Sequence, residues 1–258
     1  MLKIAVIETG TPAPALRQKF GGYFSMFEAA FGEISAPIHL VNYPVYLDGK
    51  LPNLEQYAGI LITGSPYGVY EDHEFIDPLK NFILEAKEAA IAVVGICFGH
   101  QIMAAAYGAP VMKAPNGWGV GIHTYDTNKP HGQDDNLMEG KTSLSCLLSH
   151  QDQVLDLVDG LRPLAGSDFC PNGAISYHNG AGLSFQMHPE FTTDFAMALL
   201  ESRRDRISAD IVEHAQQSFS DPSDRNFILQ TIVDFFRNSQ KTKIEFSGEQ
   251  RDGEIAHV

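Results

Sequence analysis

The sequence predicts an α/β fold in which an open, mostly parallel, twisted sheet carries helices on both faces. Up to about residue 107, apolar runs of five or six residues alternate with segments of helical length. This alternation is typical of parallel strands joined by crossover helices. Between about residues 110 and 187, short apolar runs are separated by Gly, Asn and Asp turns, which predicts a small antiparallel strand set. The expected fold is therefore flavodoxin-like, with this strand set and further helices towards the C-terminus.

The individual elements follow from these patterns in chain order. Short apolar runs predict strands at 2–8, 38–43, 58–63 and 91–96. Longer periodic segments predict helices near 22–32, 76–90 and 98–107, and again at 194–206 and from about 223 to 236. We expect one domain at residues 1–240, followed by a polar and frayed tail at residues 241–258.

The composition narrows the class of protein. The 258 residues are 44% hydrophobic and 19% charged, which is ordinary for a globular chain with one substantial core. The formal net charge of −14 and the lack of a basic cluster argue against nucleic acid or an anionic membrane as a partner. No apolar run approaches the roughly twenty residues that span a bilayer. We therefore expect an enzyme that acts on a small molecule.

The cysteine usage predicts a reducing compartment. Cys97, Cys146 and Cys170 form no even disulfide framework, and the N-terminus leads directly into a strand without the pattern of a signal peptide. These features favour a cytoplasmic location, where a thiol stays available for chemistry.

Cys97 lies between a predicted strand and a predicted helix, in the segment GICFGHQ at residues 95–101. A strand that turns sharply into a helix exposes one side chain at the carboxyl edge of the sheet, and small neighbours let the turn close. Gly95 and Gly99 meet that need. The helix N-terminus favours a thiolate at this position, so the pattern predicts a nucleophile elbow with sulfur as the nucleophile. A buried core cysteine would not explain the two flanking glycines.

His188 and Glu190 end a second predicted strand, which leads into His-Pro-Glu. In an extended chain, residues two apart point to the same side, so the imidazole and the carboxylate can meet. A carboxylate that fixes the tautomer of an imidazole, which in turn shares a proton with a thiol, is the arrangement of a catalytic triad. We therefore expect His188 and Glu190 to approach Cys97.

Four segments together resemble the class I glutamine amidotransferase family, whose members carry a Cys-His-Glu triad. They are TGSPYGVY at 63–70, GICFGHQ at 95–101, SHQD at 149–152 and FQMHPE at 185–190. Their order and spacing match the family over roughly residues 1–200, and they resemble especially the stand-alone γ-glutamyl peptidases and the glutaminase domain of GMP synthase. The resemblance implies that Cys97 is the nucleophile, His188 the base and Glu190 the acid that orients it.

Gly64 and Phe98 are the expected oxyanion-hole residues. Gly64 begins a loop at the carboxyl end of a predicted strand, where open α/β sheets bind ligands. An ordinary tight turn is the alternative interpretation of residues 64–66. Phe98 follows the nucleophile, and its N–H is the second donor by the logic of nucleophile elbows. Members of the family often carry glycine where this chain has Ser65, so a positive φ there would strain Ser65.

Gln101, Ser149 and His150 are the candidate substrate-binding residues. In the resembling enzymes, the loop that matches residues 149–152 holds the α-amino and carboxylate end of glutamine, mostly through backbone groups, and the position of Gln101 also contacts substrate. A solvated loop histidine is an equally good interpretation of His150. The family leaves the position of His100 outside the triad.

The sequence predicts no metal and no organic cofactor. The histidines and cysteines do not show ligand spacings such as His-x-x-x-His or Cys-x-x-Cys. The glycine-rich stretch at 115–121 lacks the Lys-Ser/Thr and the βαβ context of a phosphate loop, so turns explain it better. Residues 72–74 are interpreted as a solvated loop.

The resemblance implies a hydrolase that cleaves the γ-glutamyl amide of glutamine through a cysteinyl thioester. Ammonia would pass to an acceptor, which in this family is often a synthase domain or a partner chain. One alternative is a γ-glutamyl peptidase acting on glutathione-like conjugates. Another is a non-catalytic binding or regulatory module on the same fold.

Overall fold

Seven strands form a central sheet in the computed structural model, which describes residues 1–127, 135–138, 140–177 and 182–254. The sheet contains, in chain order, β1 (Leu2–Ile7), β2 (Ile38–Tyr43), β3 (Gly59–Ile62), β4 (Ala92–Ile96), β9 (Leu161–Ala165), β10 (Ala174–Tyr177) and β11 (Gly182–Phe185). The strand order is β2-β1-β3-β4-β11-β10-β9. The first five strands in this order are parallel, and β10 is antiparallel to both of its neighbours.

The helices cover both faces of the sheet. They are α1 (Pro14–Phe20), α2 (Tyr23–Glu33), α3 (Val45–Asp48), α4 (Ile76–Glu88), α5 (Phe98–Ala106), α6 (Thr193–Ser202), α7 (Ala209–Ser218) and α8 (Arg225–Glu254). On one face, Leu61 and Val94 pack with α2 and α8. On the other face, Ile60 and Val93 pack with α4 and α5. Alternate residues of a strand point to opposite faces, and this explains why the central strands are apolar throughout.

Two smaller antiparallel pairs extend from this core. β6 (Gly119–Asp126) pairs with β7 (Ser143–His150), and β5 (Val111–Lys113) pairs with β8 (Asp152–Val154). The predicted parallel sheet, the helices on both faces and the antiparallel strand set are therefore confirmed. The strands β4 and β11 are parallel neighbours, so the segments that follow them emerge at the same edge of the sheet.

Four helical features differ from the prediction. The sequence analysis missed α1, α3 and α7, which bury only one, one and two side chains respectively, so none of them shows a wide apolar stripe. The last helix, α8, continues to Glu254, whereas we expected a frayed tail at 241–258. Extending a helix that is already anchored by packing needs no new nucleation. The division into a domain at 1–240 and a tail stays a prediction.

Among the described residues, no helix has the length and apolar character required to cross a membrane.

The turn from β4 into α5 depends on two glycines that leave no room for a side chain. A Cβ atom at Gly95 would lie 2.4 Å from the carbonyl oxygen of Gly99. A Cβ atom at Gly99 would lie 2.3 Å from the carbonyl oxygen of Ile62 on the adjacent strand β3. The helix therefore packs directly on the backbone of the sheet, which agrees with the small residues predicted around the elbow.

We expect Gly99→Ala to lower the free energy of unfolding by about 3 kcal/mol, because a backbone carbonyl cannot move away as a flexible side chain would. Gly32→Ala is the matched control, since Gly32 lies in α2 with no atom within 4 Å of an added Cβ. This control should raise the free energy of unfolding by about 0.5 kcal/mol. Chemical denaturation of both variants measures the difference. Equal stabilities would show that the elbow tolerates a methyl group.

Candidate active site

Cys97 is the single residue that joins β4 to α5, and its backbone is strained. Its φ of 53° and ψ of −99° lie in a region that residues with a side chain rarely adopt. Such a conformation costs about 1–3 kcal/mol and persists only where the surroundings hold it. The N–H of Cys97 donates to the carbonyl of Phe185 at 2.8 Å, and the N–H of Gly99 donates to that of Thr63 at 3.1 Å. Bonds to both neighbouring strands thus hold the elbow.

His188 and Glu190 lie just beyond β11, as expected. The Nδ1 atom of His188 lies 2.8 Å from Oε1 of Glu190. The two residues are 4% and 2% exposed. The backbone N–H of His188 donates to the carbonyl of Leu147 at 2.8 Å, so β7 fixes the position of the histidine. The carboxylate accepts the Nδ1 proton, and this leaves Nε2 as the nitrogen that faces other groups.

The structure brings His188 close to Cys97. Both side chains lie within 4 Å of the position that a Cβ atom of Gly64 would take. Burial alone lowers the pKa of His188, but the charges of Glu190 and Cys97 and the hydrogen bond to Glu190 raise it to about 10. An imidazole with this pKa carries a proton at neutral pH. The three side chains thus form a close, buried set, in which His188 bonds to Glu190 and lies near Cys97.

An aromatic ring lies flat on His188. The ring centroids of His188 and Phe191 are 3.9 Å apart, and the two planes differ by 6°. Phe191 also contacts Phe195 at 4.5 Å and Tyr23 at 6.3 Å. This aromatic cluster fixes the plane of the imidazole, and the π face of Phe191 favours the imidazolium form.

Gly64 lies against both His188 and Cys97. A Cβ atom at Gly64 would be 2.9 Å from Cε1 of His188 and 3.7 Å from Cβ of Cys97. Phe98 is the first residue of α5, where the N–H has no partner within the helix. The N–H groups of Gly64 and Phe98 make no hydrogen bond to a described residue. Their roles as oxyanion donors stay a prediction.

Ser65 is not strained. The described non-glycine residues with positive φ are Ser35, Ala90 and Cys97, so the strain that we considered at Ser65 is located at Cys97 instead. The hydroxyl of Ser65 donates to the carbonyl of Thr9 at 2.8 Å and accepts from the N–H of Tyr67 at 3.2 Å. Ser65 therefore joins the loop after β3 to the end of β1.

The candidate substrate-binding residues lie close together but make different contacts. Gln101 donates its amide hydrogens to the carbonyl of Asp152 at 2.8 Å and to Oε1 of Gln186 at 3.1 Å. Ser149 accepts a hydrogen bond from Arg203 at 2.8 Å. The matching segment is less of a loop than expected, because Ser149 and His150 complete β7 and Asp152 starts β8.

His150 is buried, which contradicts its interpretation as a solvated loop histidine. Its Nδ1 atom lies 3.1 Å from the carbonyl oxygen of Asp152. Burial lowers the pKa of His150 to about 3, so the ring is neutral. Burial also lowers the pKa of His100 to about 3, and its Nδ1 lies 2.8 Å from the hydroxyl of Ser184. Neither histidine competes with His188 as a proton donor.

Burial also explains why the thiols of Cys146 and Cys170 are inert. Burial raises the pKa of Cys146 and of Cys170 to about 12. Both are therefore neutral at physiological pH and poor nucleophiles. Within the described parts of the chain, no three His, Cys, Asp or Glu side chains are grouped closely enough to hold a metal ion.

Sequence reasoning missed three residues around this site. None of them belongs to a predicted motif. Tyr23 begins α2, Phe191 lies just before α6, and Arg203 lies just after it. For Phe191, its place directly after Glu190 was a usable signal. For Arg203 and Tyr23, no local pattern distinguishes them from ordinary helix residues.

Comparison with known proteins identifies the family of this chain. The family model described as glutamine amidotransferase class-I matches residues 19–202. Gamma-glutamyl peptidase 5 of Arabidopsis thaliana is 31% identical over 193 residues, covering 72% of this chain and 74% of the relative. A GMP synthase [glutamine-hydrolyzing] subunit of Archaeoglobus fulgidus is 31% identical over 138 residues, covering 53% of this chain and 68% of the relative.

A solved structure shows the same fold. The crystal structure of a glutamine amidotransferase from Thermotoga maritima matches with a TM-score of 0.69 at 19% identity, covering 93% of this chain and 98% of that chain. The family model spans most of the chain, and it includes the elbow, the strand that anchors His188 and the segment up to Glu190. The chain therefore belongs to the class I glutamine amidotransferase family.

Proposed function

We propose that this protein hydrolyses the γ-glutamyl amide of glutamine through a thioester on Cys97. The observation that carries the proposal is the buried set in which His188 bonds to the carboxylate of Glu190 and lies close to Cys97. A thiol at a strained strand-to-helix turn, an imidazole and an orienting acid form the constellation for acyl transfer. No metal or organic cofactor enters the proposed steps.

The first step forms the acyl-enzyme. The Cys97 thiolate attacks the carbonyl carbon of the side-chain amide, and the carbonyl oxygen becomes an oxyanion. The N–H groups of Gly64 and Phe98 are the proposed donors to this oxygen, because both flank the nucleophile and neither bonds to a described residue. Removing one such donor costs about 3 kcal/mol of transition-state stabilisation in measured oxyanion holes.

His188 then moves the protons. As an imidazolium it protonates the departing nitrogen, the C–N bond breaks, and a γ-glutamyl thioester remains on Cys97. Once sulfur is acylated it bears no charge, so one of the interactions that raise the pKa of His188 is lost. The neutral imidazole next takes a proton from water, the water attacks the thioester, and glutamate leaves with the thiolate restored. Overall, amide and water become glutamate and ammonia.

A γ-glutamyl peptidase is the second candidate, and it is favoured by specific relatives. Gamma-glutamyl peptidases 2 and 4 of Arabidopsis thaliana cover 84% and 80% of this chain at 27% and 28% identity. The same two half-reactions would release an amine instead of ammonia. In the first candidate, a synthase partner would accept the ammonia, as the similarity to the GMP synthase relative suggests.

A non-catalytic module on the same fold is the third candidate. A binding module has no physical need for a strained cysteine, a buried imidazolium and its carboxylate in mutual contact. The intact set therefore favours an enzyme.

We expect a diazoketone analogue of glutamine to alkylate Cys97 and no other thiol. Intact-mass spectrometry should find one adduct, which disappears in Cys97→Ala together with any turnover. Cys146→Ala is the matched control and should keep the adduct, because the Cys146 thiol is buried and neutral. An adduct that survives in Cys97→Ala, or turnover unchanged by that substitution, would remove Cys97 from the mechanism.

We expect Phe191→Leu to slow alkylation of Cys97 by iodoacetamide roughly 2- to 10-fold near neutral pH. A stacked aromatic pair is worth about 0.5–1.5 kcal/mol beyond burial, and this contact stabilises the imidazolium that accompanies the thiolate. Phe195→Leu is the matched control, because Phe195 is equally buried but does not stack on His188. If both substitutions slow the reaction to the same extent, the effect is general packing and not stacking on His188.

We expect the purified protein to release glutamate and ammonia from glutamine, with no release from α-glutamylglycine, whose linkage differs. Glutamate is assayed after incubation with glutamine and, separately, with γ-glutamyl peptides of the glutathione type. Release from the γ-glutamyl peptides alone would reject the glutaminase assignment and support the peptidase. Cys97→Ala protein serves as the blank for both substrates.

A further inference from the structure

Arg203 follows the last residue of α6, and its side chain reaches strand β7. Its Nη1 atom donates to the hydroxyl of Ser149 at 2.8 Å. Its guanidinium carbon lies 5.4 Å from the centroid of the Trp118 ring. The side chain is partly buried, and these two contacts hold it between α6 and the β6–β7 pair.

This guanidinium has no acidic partner among the described residues, since no carboxylate oxygen lies within 4.0 Å of it. By contrast, Arg204 pairs with Glu201 at 2.9 Å and Arg237 pairs with Asp234 at 2.7 Å. A guanidinium has five N–H donors, and Ser149 uses one of them. A partly buried charge without a counter-ion is costly unless an anion arrives to pair with it.

The position of Arg203 relates it to the catalytic set through β7. Ser149 is two residues from Leu147, whose carbonyl accepts the N–H of His188 at 2.8 Å. Residues two apart on a strand are about 7 Å apart and lie on the same side. Burial lowers the pKa of Arg203, and the hydroxyl of Tyr23 and the sulfur of Cys97 partly offset this decrease. The strand β7 thus contacts both His188 and Arg203.

We propose that Arg203 binds a carboxylate of the substrate, an inference that rests on the proposed γ-glutamyl hydrolysis. A planar guanidinium forms two parallel hydrogen bonds to a carboxylate, which gives both affinity and orientation. Two carboxylates could occupy this place. One is the α-carboxylate of the γ-glutamyl group, and the other is a carboxylate on the leaving amine. Trp118 and Ser149 hold the guanidinium in place before either one binds.

The experiment compares Arg203→Gln and Arg203→Lys with Arg204→Gln, an exposed arginine on the same turn. One substrate is γ-glutamyl-anilide, whose leaving amine is uncharged, and the other is γ-glutamylglycine, whose leaving amine carries a carboxylate. We expect Arg203→Gln to raise KM about 10- to 100-fold with a smaller change in kcat, since a hydrogen bond to a charged group is worth about 1.5–3 kcal/mol. The KM of Arg203→Lys should lie between the values for Arg203→Gln and the native protein. The KM of Arg204→Gln should equal the native value.

The two substrates identify the carboxylate. An equal rise in KM for both assigns Arg203 to the α-carboxylate, and a rise for γ-glutamylglycine alone assigns it to the leaving group. Unchanged KM for both substrates overturns the inference while the hydrolase assignment stands.

Binding measured without turnover separates the two proposals. Calorimetry on Cys97→Ala protein measures the affinity for glutamate and for γ-glutamylglycine, with and without Arg203→Gln. We expect Arg203→Gln to weaken the binding of glutamate, of γ-glutamylglycine or of both by 10-fold or more. This result supports the inference even if no substrate is hydrolysed. Equal affinities, or no binding of either compound to Cys97→Ala protein, overturn it.

Discussion

The backbone of one residue, Cys97, is the constraint on which the rest of the site depends. The strand β4 passes into α5 without a linker, and this is possible only with a positive φ at the joining residue. The cost of about 1–3 kcal/mol is comparable to the two hydrogen bonds that tie the elbow to β3 and β11, at about 0.5–1.5 kcal/mol each, with close helix packing in addition. The neighbouring strands therefore hold the sulfur at the carboxyl edge of the sheet.

The pKa of His188 depends on burial as much as on the neighbouring charges. His188 and Glu190 are almost fully buried, and a charged imidazole is stable in such a place only with a carboxylate beside it. The pKa of His188 is therefore a property of the assembled set. Burial lowers it, whereas the neighbouring carboxylate and sulfur raise it to about 10. The histidines His100 and His150 are equally buried but lack an acidic neighbour, and burial lowers the pKa of each to about 3.

The antiparallel pair β6–β7 joins the site to the C-terminal helices. Its strand β7 fixes the backbone of His188 through Leu147 and fixes the side chain of Arg203 through Ser149. The Trp118 ring, just before β6, lies under the same guanidinium. This region, which is rich in turn residues in the sequence, thus supports the positions of His188 and Arg203.

The sequence by itself determined the parallel sheet with helices on both faces, and the candidate residues Cys97, His188 and Glu190. These follow from local signals, namely apolar runs, small residues around a turn and a two-residue spacing on a strand. The tertiary structure decided that the strain lies at Cys97 and not at Ser65, and that His150 is buried. It also decided that α8 continues to Glu254, and that Phe191 and Arg203 lie beside the site. Backbone strain, burial and partner choice arise from contacts between segments far apart in the chain, and local patterns do not encode them.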